Sequence, residues 1–439
     1  MVTKRFSSAE KVDPAPLGQP LTFEFSGKTA KNRFLKSSMS EQLSSWDEKD
    51  PAKRGIPSDE LINLYRRWGE GGYGVILLGN TMIEVDQLEI DGNHIIPSDA
   101  PFSGDRFEKF KELASESKKH GSLVYPQLSH PGRQVQEAIQ PNPISASDVQ
   151  LVIPAMGTFA KPRPMEKADF DRVINEFAHA AEYSYKAGFD GVQLHGAHGY
   201  LLAQFLAPST NKRTDEYGGS LLNRARLIFQ IADAIRARVP DKAFSLGIKL
   251  NSVEFQQGGF TPEECKDLCV ELEKNNFDWV ELSGGTYEEL AFTHRKESTI
   301  KREAYFLEFA ELIIPHLKKT KVYVTGGLRS AAGMVKALNS VDGVGLGRPA
   351  AYEPALPQRI LDGAVDGAVQ PFFDENDTGL GLLAAKTEMK LVGLGHEPLD
   401  LSREDHQKVF SAALSKWSGR LGPLDIEDFD FQPYGTAYA

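Results

Sequence analysis

His195 and His198 stand three residues apart, and Tyr200 follows two residues later, in the segment GVQLHGAHGY. Two imidazoles at this spacing, on a tight turn, can aim ring nitrogens at one oxygen atom and hydrogen-bond to it. They can also ligate a metal, but a metal site needs about three protein ligands. The nearest acid, Asp190, precedes the apolar run that carries His195 and faces its other end, so no metal is expected. A clamp for a substrate oxygen and a purely structural pair both remain open. Tyr200 is open in the same way. A phenol close to a developing carbanion can deliver a proton, and a phenol can also be a wall residue that packs by its ring.

A second group of residues suits an anion. Gly326 and Gly327 in VTGGLRS, and Gly347 with Arg348 in GLGRP, expose backbone N–H groups beside a guanidinium. A guanidinium forks onto phosphate oxygens. Neither segment is the G-x-G-x-x-G fingerprint or a P-loop, so one phosphate is favoured over a tightly held dinucleotide. Turn glycines with no ligand are the plainer alternative. GEGGYG at Gly69–Gly74 looks similar, but it precedes an apolar run and is set aside. Gln127 offers both a donor and an acceptor to the edge of a planar cofactor. Lys249 would place positive charge where negative charge gathers on reduction. A surface salt bridge is the alternative for Lys249. Asn80, at the end of another apolar run, completes the set.

These residues share one position: each ends or follows a short Val/Ile/Leu-rich run. The runs are Asn32–Ser38, Gly74–Leu78, Leu123–Leu128, Gly191–His195, Ser245–Leu250, Trp279–Ser283, Val322–Thr325 and Gly343–Gly347. Such runs mark buried parallel strands. Pro126 is expected to make the end of the third irregular. Helical stretches alternate with them, among them Pro57–Gly69, Ser103–Ser117, Lys167–Ala187, Ser220–Val239, Thr261–Lys274 and Ser330–Asn339. A helix closing the eighth unit is expected within Ala355–Asp366. The fold class is therefore α/β, a (β/α)₈ TIM barrel, whose strand ends converge on one mouth. Long segments after strands three and four, His130–Pro164 and Pro208–Ser220, are candidate walls or lids. Residues 1–370 form the barrel with an amino-terminal lead-in. Residues 371–439 form a carboxy-terminal extension, ending in the acidic, aromatic DIEDFDFQPYGTAYA. The extension is expected on the barrel or at a subunit contact such as that of a homodimer.

Composition narrows the partners. The 439 residues carry a formal net charge of -11, which argues against a nucleic-acid footprint of clustered Lys and Arg. The two cysteines, Cys265 and Cys269, are too few for a four-thiolate zinc site or an iron–sulfur cluster in one chain. No apolar run reaches the roughly 20 residues that cross a bilayer. The polar start MVTKRFSSAEKVDPAPLGQP lacks a signal-peptide core. No membrane contact is expected, and the cytoplasm is the expected location.

The combination resembles the old yellow enzyme family of FMN-dependent ene-reductases. The longest matching segment is GVQLHGAHGYLLAQFLAPSTNKRTDEYGGSLLNRARL, Gly191–Leu227. Asn32–Phe34 (NRF), Gln127–Arg133 (QLSHPGR), Val280–Gly285 (VELSGG), Val324–Gly327 (VTGG) and Gly345–Pro349 (GLGRP) agree in order, so the likeness covers roughly residues 20–365. It implies a single barrel holding FMN noncovalently, reduced by NADH or NADPH. It implies that hydride then passes to the β-carbon of an activated alkene, a small molecule such as an α,β-unsaturated carbonyl. His195 and His198 would bind the substrate oxygen, and Tyr200 would protonate the α-carbon. Gln127 would meet the flavin pyrimidine edge, and Gly327, Gly347 and Arg348 would seat the phosphate.

The chain departs from the common pattern at four positions. Ser38 takes the place of a proline, and Ser40 that of a threonine or cysteine near the flavin. Lys249 stands where arginine is frequent, a point charge in place of a fork. Asn80 replaces a small alanine. A flavin-dependent dehydrogenase or isomerase on the same barrel remains open. From another class, so does a metal-dependent hydrolase using His195 and His198.

Overall fold

In the computed structural model, residues 3–7, 11–153, 157–254, 258–284, 309–375 and 377–417 are described. The acidic, aromatic chain end lies outside them. Eight parallel strands form the barrel: β1 Phe34–Lys36, β2 Val75–Met82, β3 Leu123–Ser129, β4 Gly191–Gly196, β5 Ser245–Val253, β6 Trp279–Gly284, β7 Lys321–Thr325 and β8 Gly343–Leu346. Each strand pairs with the next, and β1 pairs with both β8 and β2, which closes the ring. Closure removes the exposed sheet edges of an open sheet.

The floor of the barrel is packed by alternating large and small residues. Tyr125, Trp279 and Tyr323 point inward and are fully buried. They fit because neighbouring strands carry glycine. A Cβ on Gly191 would meet the Tyr125 ring at 2.7 Å, one on Gly247 the Trp279 ring at 2.3 Å, and one on Gly343 the Tyr323 ring at 2.3 Å. Beneath them lies an antiparallel pair, Leu21–Thr22 with Thr29–Ala30. Its Leu21, Phe23 and Ala30 join the same apolar cluster. The floor is thus plugged, and chemistry is confined to the opposite mouth.

The covering helices are α1 Asp59–Glu70, α2 Asp105–Lys118, α3 Lys167–Ala187, α4 Leu201–Leu206, α5 Leu221–Arg238, α6 Pro262–Lys274 and α7 Ala331–Ala337. Several start on a side-chain cap. The Ser58 hydroxyl accepts from Leu61 N–H and the Ser220 hydroxyl from Asn223 N–H, and Thr261 with Glu264 forms a capping box. Such caps satisfy N–H groups that a helix start leaves unpaired.

One expectation changes, and another is met with an addition. β3 runs unbroken through Pro126 to Ser129. The irregularity falls on its neighbour β2, whose register shifts between Leu77 and Asn80 opposite Pro126. Proline has no N–H to give, and a bulge in the partner strand accommodates that and re-aims the following side chain, here Asn80. The helix expected within Ala355–Asp366 is α9 Leu356–Leu361, and a further short helix, α8 Arg348–Tyr352, precedes it. Pro354 accounts for the break, because the residue before a proline is pushed out of the helical region.

The extension packs into the barrel's own core. α10 Thr378–Gly393 lies against α1 and α8, and Asn63 donates to the carbonyls of Val392 and Gly393. α11 Glu404–Trp417 adds Phe410 and Ala413 to the main apolar cluster. The amino-terminal segment is tied to both: Thr3 donates to Asp400 at 2.6 Å, Phe6 N–H to Ala368 O, and Arg5 forms an ion pair with Glu353 at 2.8 Å. Among the described residues no helix is long and apolar enough to cross a membrane.

Candidate active site

β4 delivers His195 to the mouth, and the turn after it delivers His198 and Tyr200. That turn is tight because His198 and Gly199 both take left-handed backbone conformations, φ 57° and 75°. A histidine there is uncommon and points to a site that over-determines it. The Asn251 side chain at the end of β5 accepts the His198 N–H at 3.2 Å. Tyr200 stands at the start of α4 and is 2% exposed. Its ring lies 4.3 Å from the His195 ring.

A single hydrogen-bonded chain links these groups. His195 Nδ1 is 2.7 Å from Asn80 Oδ1, and His195 Nε2 is 3.0 Å from His198 Nδ1. His198 Nε2 is 3.0 Å from Ser283 Oγ, and Ser129 Oγ is 3.2 Å from His195 Nδ1. Asn80 Oδ1 only accepts, so His195 carries its proton on Nδ1. His195 Nε2 then accepts from His198 Nδ1–H, and His198 Nε2 accepts from Ser283. Both rings are neutral. Burial, the neighbouring His198 and the Lys249 cation hold His195 well below the usual imidazole range. Burial and then Lys249 bring His198 down to about 3.

Asn80 turns its other end to Tyr200. Its Nδ2 donates to the tyrosine hydroxyl at 3.2 Å and to Glu89 Oε2 at 2.5 Å. Ser40 donates to the same Glu89 oxygen at 2.5 Å. The bulge in β2 therefore places Asn80 between the histidine and the tyrosine.

The remaining expected residues fall into two groups. Ser38 Oγ donates to Gln127 Oε1 at 2.8 Å, and Gln127 Nε2 donates to Gln193 Oε1 at 2.6 Å. Lys249 is 3% exposed and is not a surface cation: its Nζ lies 3.1 Å from Glu281 Oε1 and 3.0 Å from Ser37 Oγ. Across the mouth, Gly326 and Gly327 have φ 141° and 73° after β7. A Cβ on Gly347 would meet nothing within 4 Å. Arg348 stands beside it, its Nη1 donating to Glu375 O at 3.0 Å.

Sequence reasoning misses Glu281, Gln193, Ser37, Ser129 and Glu89. For two of them a signal exists: Gln193 in GVQLH and Glu281 in WVELS are polar residues in the middle of otherwise apolar barrel strands. Among the described residues no group of three or more His, Cys, Asp or Glu could hold a metal ion. The open space at Gly347, the adjacent guanidinium and the amide edge at Gln127 are of the chemistry a flavin mononucleotide would need.

A plugged barrel with a neutral histidine pair, a buried phenol and a glycine–arginine seat at its mouth is the framework of a flavin-dependent oxidoreductase. The chain belongs to the NADH:flavin oxidoreductase / NADH oxidase family, whose model matches residues 16–366. It is 48% identical over 429 residues to an NADH-dependent flavin oxidoreductase of Aspergillus parasiticus, covering 97% of this chain and 96% of that one. It is 35% identical over 362 residues to an NADH-dependent flavin oxidoreductase of Talaromyces variabilis, covering 76% and 84%. Among solved structures, an old yellow enzyme homologue from Zymomonas mobilis superposes with a TM-score of 0.65 at 22% identity, covering 80% of this chain and 94% of that one. At that identity the likeness is one of fold. The protein is an FMN- and NAD(P)H-dependent oxidoreductase of the old yellow enzyme type.

Proposed function

We propose that this enzyme binds FMN noncovalently, takes hydride from NADH or NADPH, and reduces the activated C=C bond of an α,β-unsaturated carbonyl or related small molecule. The observation that carries this reading is the Tyr200 hydroxyl, held by the Asn80 amide beside the His195 ring. Asn80 donates to the phenol oxygen and holds the ring beside His195. Tyr200 then delivers the proton to the α-carbon.

His195 and His198 bind the substrate oxygen. For both to donate, the His195 proton moves from Nδ1 to Nε2. Ser129 Oγ–H takes over at Nδ1, and Asn80 Oδ1 draws back from that nitrogen while its Nδ2 stays on Tyr200. The His198 Nδ1–H leaves His195 for the substrate oxygen. Donors aimed where charge develops lower the barrier without reorganising solvent.

Bound FMN supplies the hydride chemistry. Gln127, Ser38, Ser40 and Lys249 line its edge, and Gly326, Gly327, Gly347 and Arg348 hold its phosphate. Residues 1–370 act as the barrel unit and 371–439 as its extension, whose described residues pack on the barrel. The substrate is a small molecule and the location cytoplasmic.

The test is anaerobic and spectroscopic. The purified protein is expected to be yellow, to bleach with NADH or NADPH, and to recover colour with an enone such as cyclohexenone. A colourless protein that FMN does not reconstitute overturns the cofactor assignment. Recovery with oxygen and quinones but with no enone or nitroalkene overturns the substrate class.

A further inference from the structure

Glu281 is the most completely enclosed acid near the mouth. It is 0% exposed and sits in the middle of β6. Cross-strand register puts His195, Lys249 and Glu281 side by side on β4, β5 and β6. The Glu281 carboxylate accepts from Ser37 Oγ at 2.5 Å, from Thr325 Oγ1 at 2.6 Å and from Gln193 Nε2 at 2.8 Å, and lies 3.1 Å from Lys249 Nζ. Burial alone would raise its pKa. Lys249 and the three hydrogen bonds outweigh burial and keep it below the usual carboxylate range, so it is ionised.

Two consequences follow at the flavin edge. The first concerns charge. A lone Lys249 would favour a reduced, anionic ring, but its charge is offset by an anion about one hydrogen bond away. The second concerns direction. A carboxylate only accepts, so Gln193 must point its Nε2 at Glu281 and its Oε1 at Gln127. Gln127 must then give Nε2 to Gln193 and receive Ser38 Oγ–H on Oε1. One buried acid thus orients two amides in series.

We propose that Glu281 is a redox-positioning residue, the buried counter-ion that cancels Lys249 and holds the flavin's midpoint potential low, while fixing the amide direction of Gln127. This rests on the reading that FMN binds at this edge. It predicts opposite effects from two variants. Glu281→Gln leaves Lys249 uncompensated and raises the potential of the bound flavin. Lys249→Met leaves Glu281 uncompensated and lowers it. The double variant, which removes both charges, returns toward the wild-type value.

The experiment is a spectroscopic redox titration of the FMN-loaded full chain and the three variants, with the FMN dissociation constant measured in parallel. Shifts of opposite sign that largely cancel in the double variant are the expected result. Shifts of the same sign, or no shift in variants that hold FMN, overturn the proposal. If Glu281→Gln is recovered unfolded, Lys249→Met and the double variant still decide: the double variant must lie above Lys249→Met and near wild type, and any other order overturns it. Failure of the wild-type chain to take up FMN overturns the cofactor reading instead, before any variant is compared.

Discussion

Asn80 Oδ1 lies 2.7 Å from His195 Nδ1 and selects which ring nitrogen carries the proton. Removing it in Asn80→Ala leaves the Ser129 hydroxyl, 3.2 Å from that nitrogen, and a hydroxyl can donate as well as accept. A hydrogen bond of about 1 kcal/mol corresponds to a roughly fivefold change in tautomer ratio. Nitrogen-15 NMR of histidine-labelled protein should show His195 protonated on Nδ1 in the wild type and shifted toward Nε2 in the variant. An unchanged tautomer would show that Asn80 does not set it.

Tyr200→Phe separates the two half-reactions. Loss of a general acid slows alkene reduction by about 10²–10⁴-fold, whereas flavin reduction by NADH needs no phenol proton. Stopped-flow measurement of each half-reaction checks this, and an equal loss in both would assign Tyr200 to binding and packing alone.

Gly381 on α10 sits against Arg348, the cation proposed to seat the FMN phosphate. A Cβ there would lie 2.6 Å from Arg348 Nη1. Gly381→Ala displaces the end of a flexible side chain, so the fold survives, and the helix interior gains up to about 1 kcal/mol. Loss of a hydrogen bond to a charged group, about 1.5–3 kcal/mol, weakens FMN binding by roughly tenfold or more. Isothermal titration of the apoprotein with FMN, beside a melting curve, checks both. Unaltered FMN affinity in the stable variant would remove Arg348 from the seat.

Acid should weaken the fold through the same histidines. His195 and His198 have folded pKa values below the ordinary value of about 6.5 for an unfolded histidine. Below about pH 6.5 the unfolded chain therefore binds protons that the folded chain refuses. Stability is full above that pH and falls as pH drops toward about 3, where His198 titrates. Each such group contributes up to about 1.4 kcal/mol per pH unit within this window. His94, His179 and His406 shift in the same direction. Urea denaturation between pH 7.5 and 5 measures the slope. A stability that stays level or rises on acidification contradicts it.

Strand identity was legible because buried parallel strands are written as runs of Val, Ile and Leu. Even the three-residue β1 keeps its place through Phe34 and Leu35. The mouth was legible where polar residues end those runs, as at His195, Lys249 and Asn80. Contacts between such residues were not. Nothing in the spacing of Lys249 and Glu281 says that β5 and β6 set them in register, because register arises from closure of the whole ring. Glu89 reaches Asn80 from a loop without periodicity. Pro126 shows a third limit: the missing N–H was visible, but the bulge that answers it forms in another strand.

Arg5 bridges to Val369 and donates to Gly367 O, and α10 lies across α8, which Arg348 begins. The stretch matched by the family model, residues 16–366, excludes both ends. A protein trimmed to that stretch would lose the Glu375 carbonyl that holds the arginine, and with it the Arg5 partner of Glu353. The region matched by the family model is therefore shorter than the stretch that holds Arg348 and Glu353 in place. Anyone seeking a minimal catalyst from this chain should keep both Arg5 and Glu375 in it.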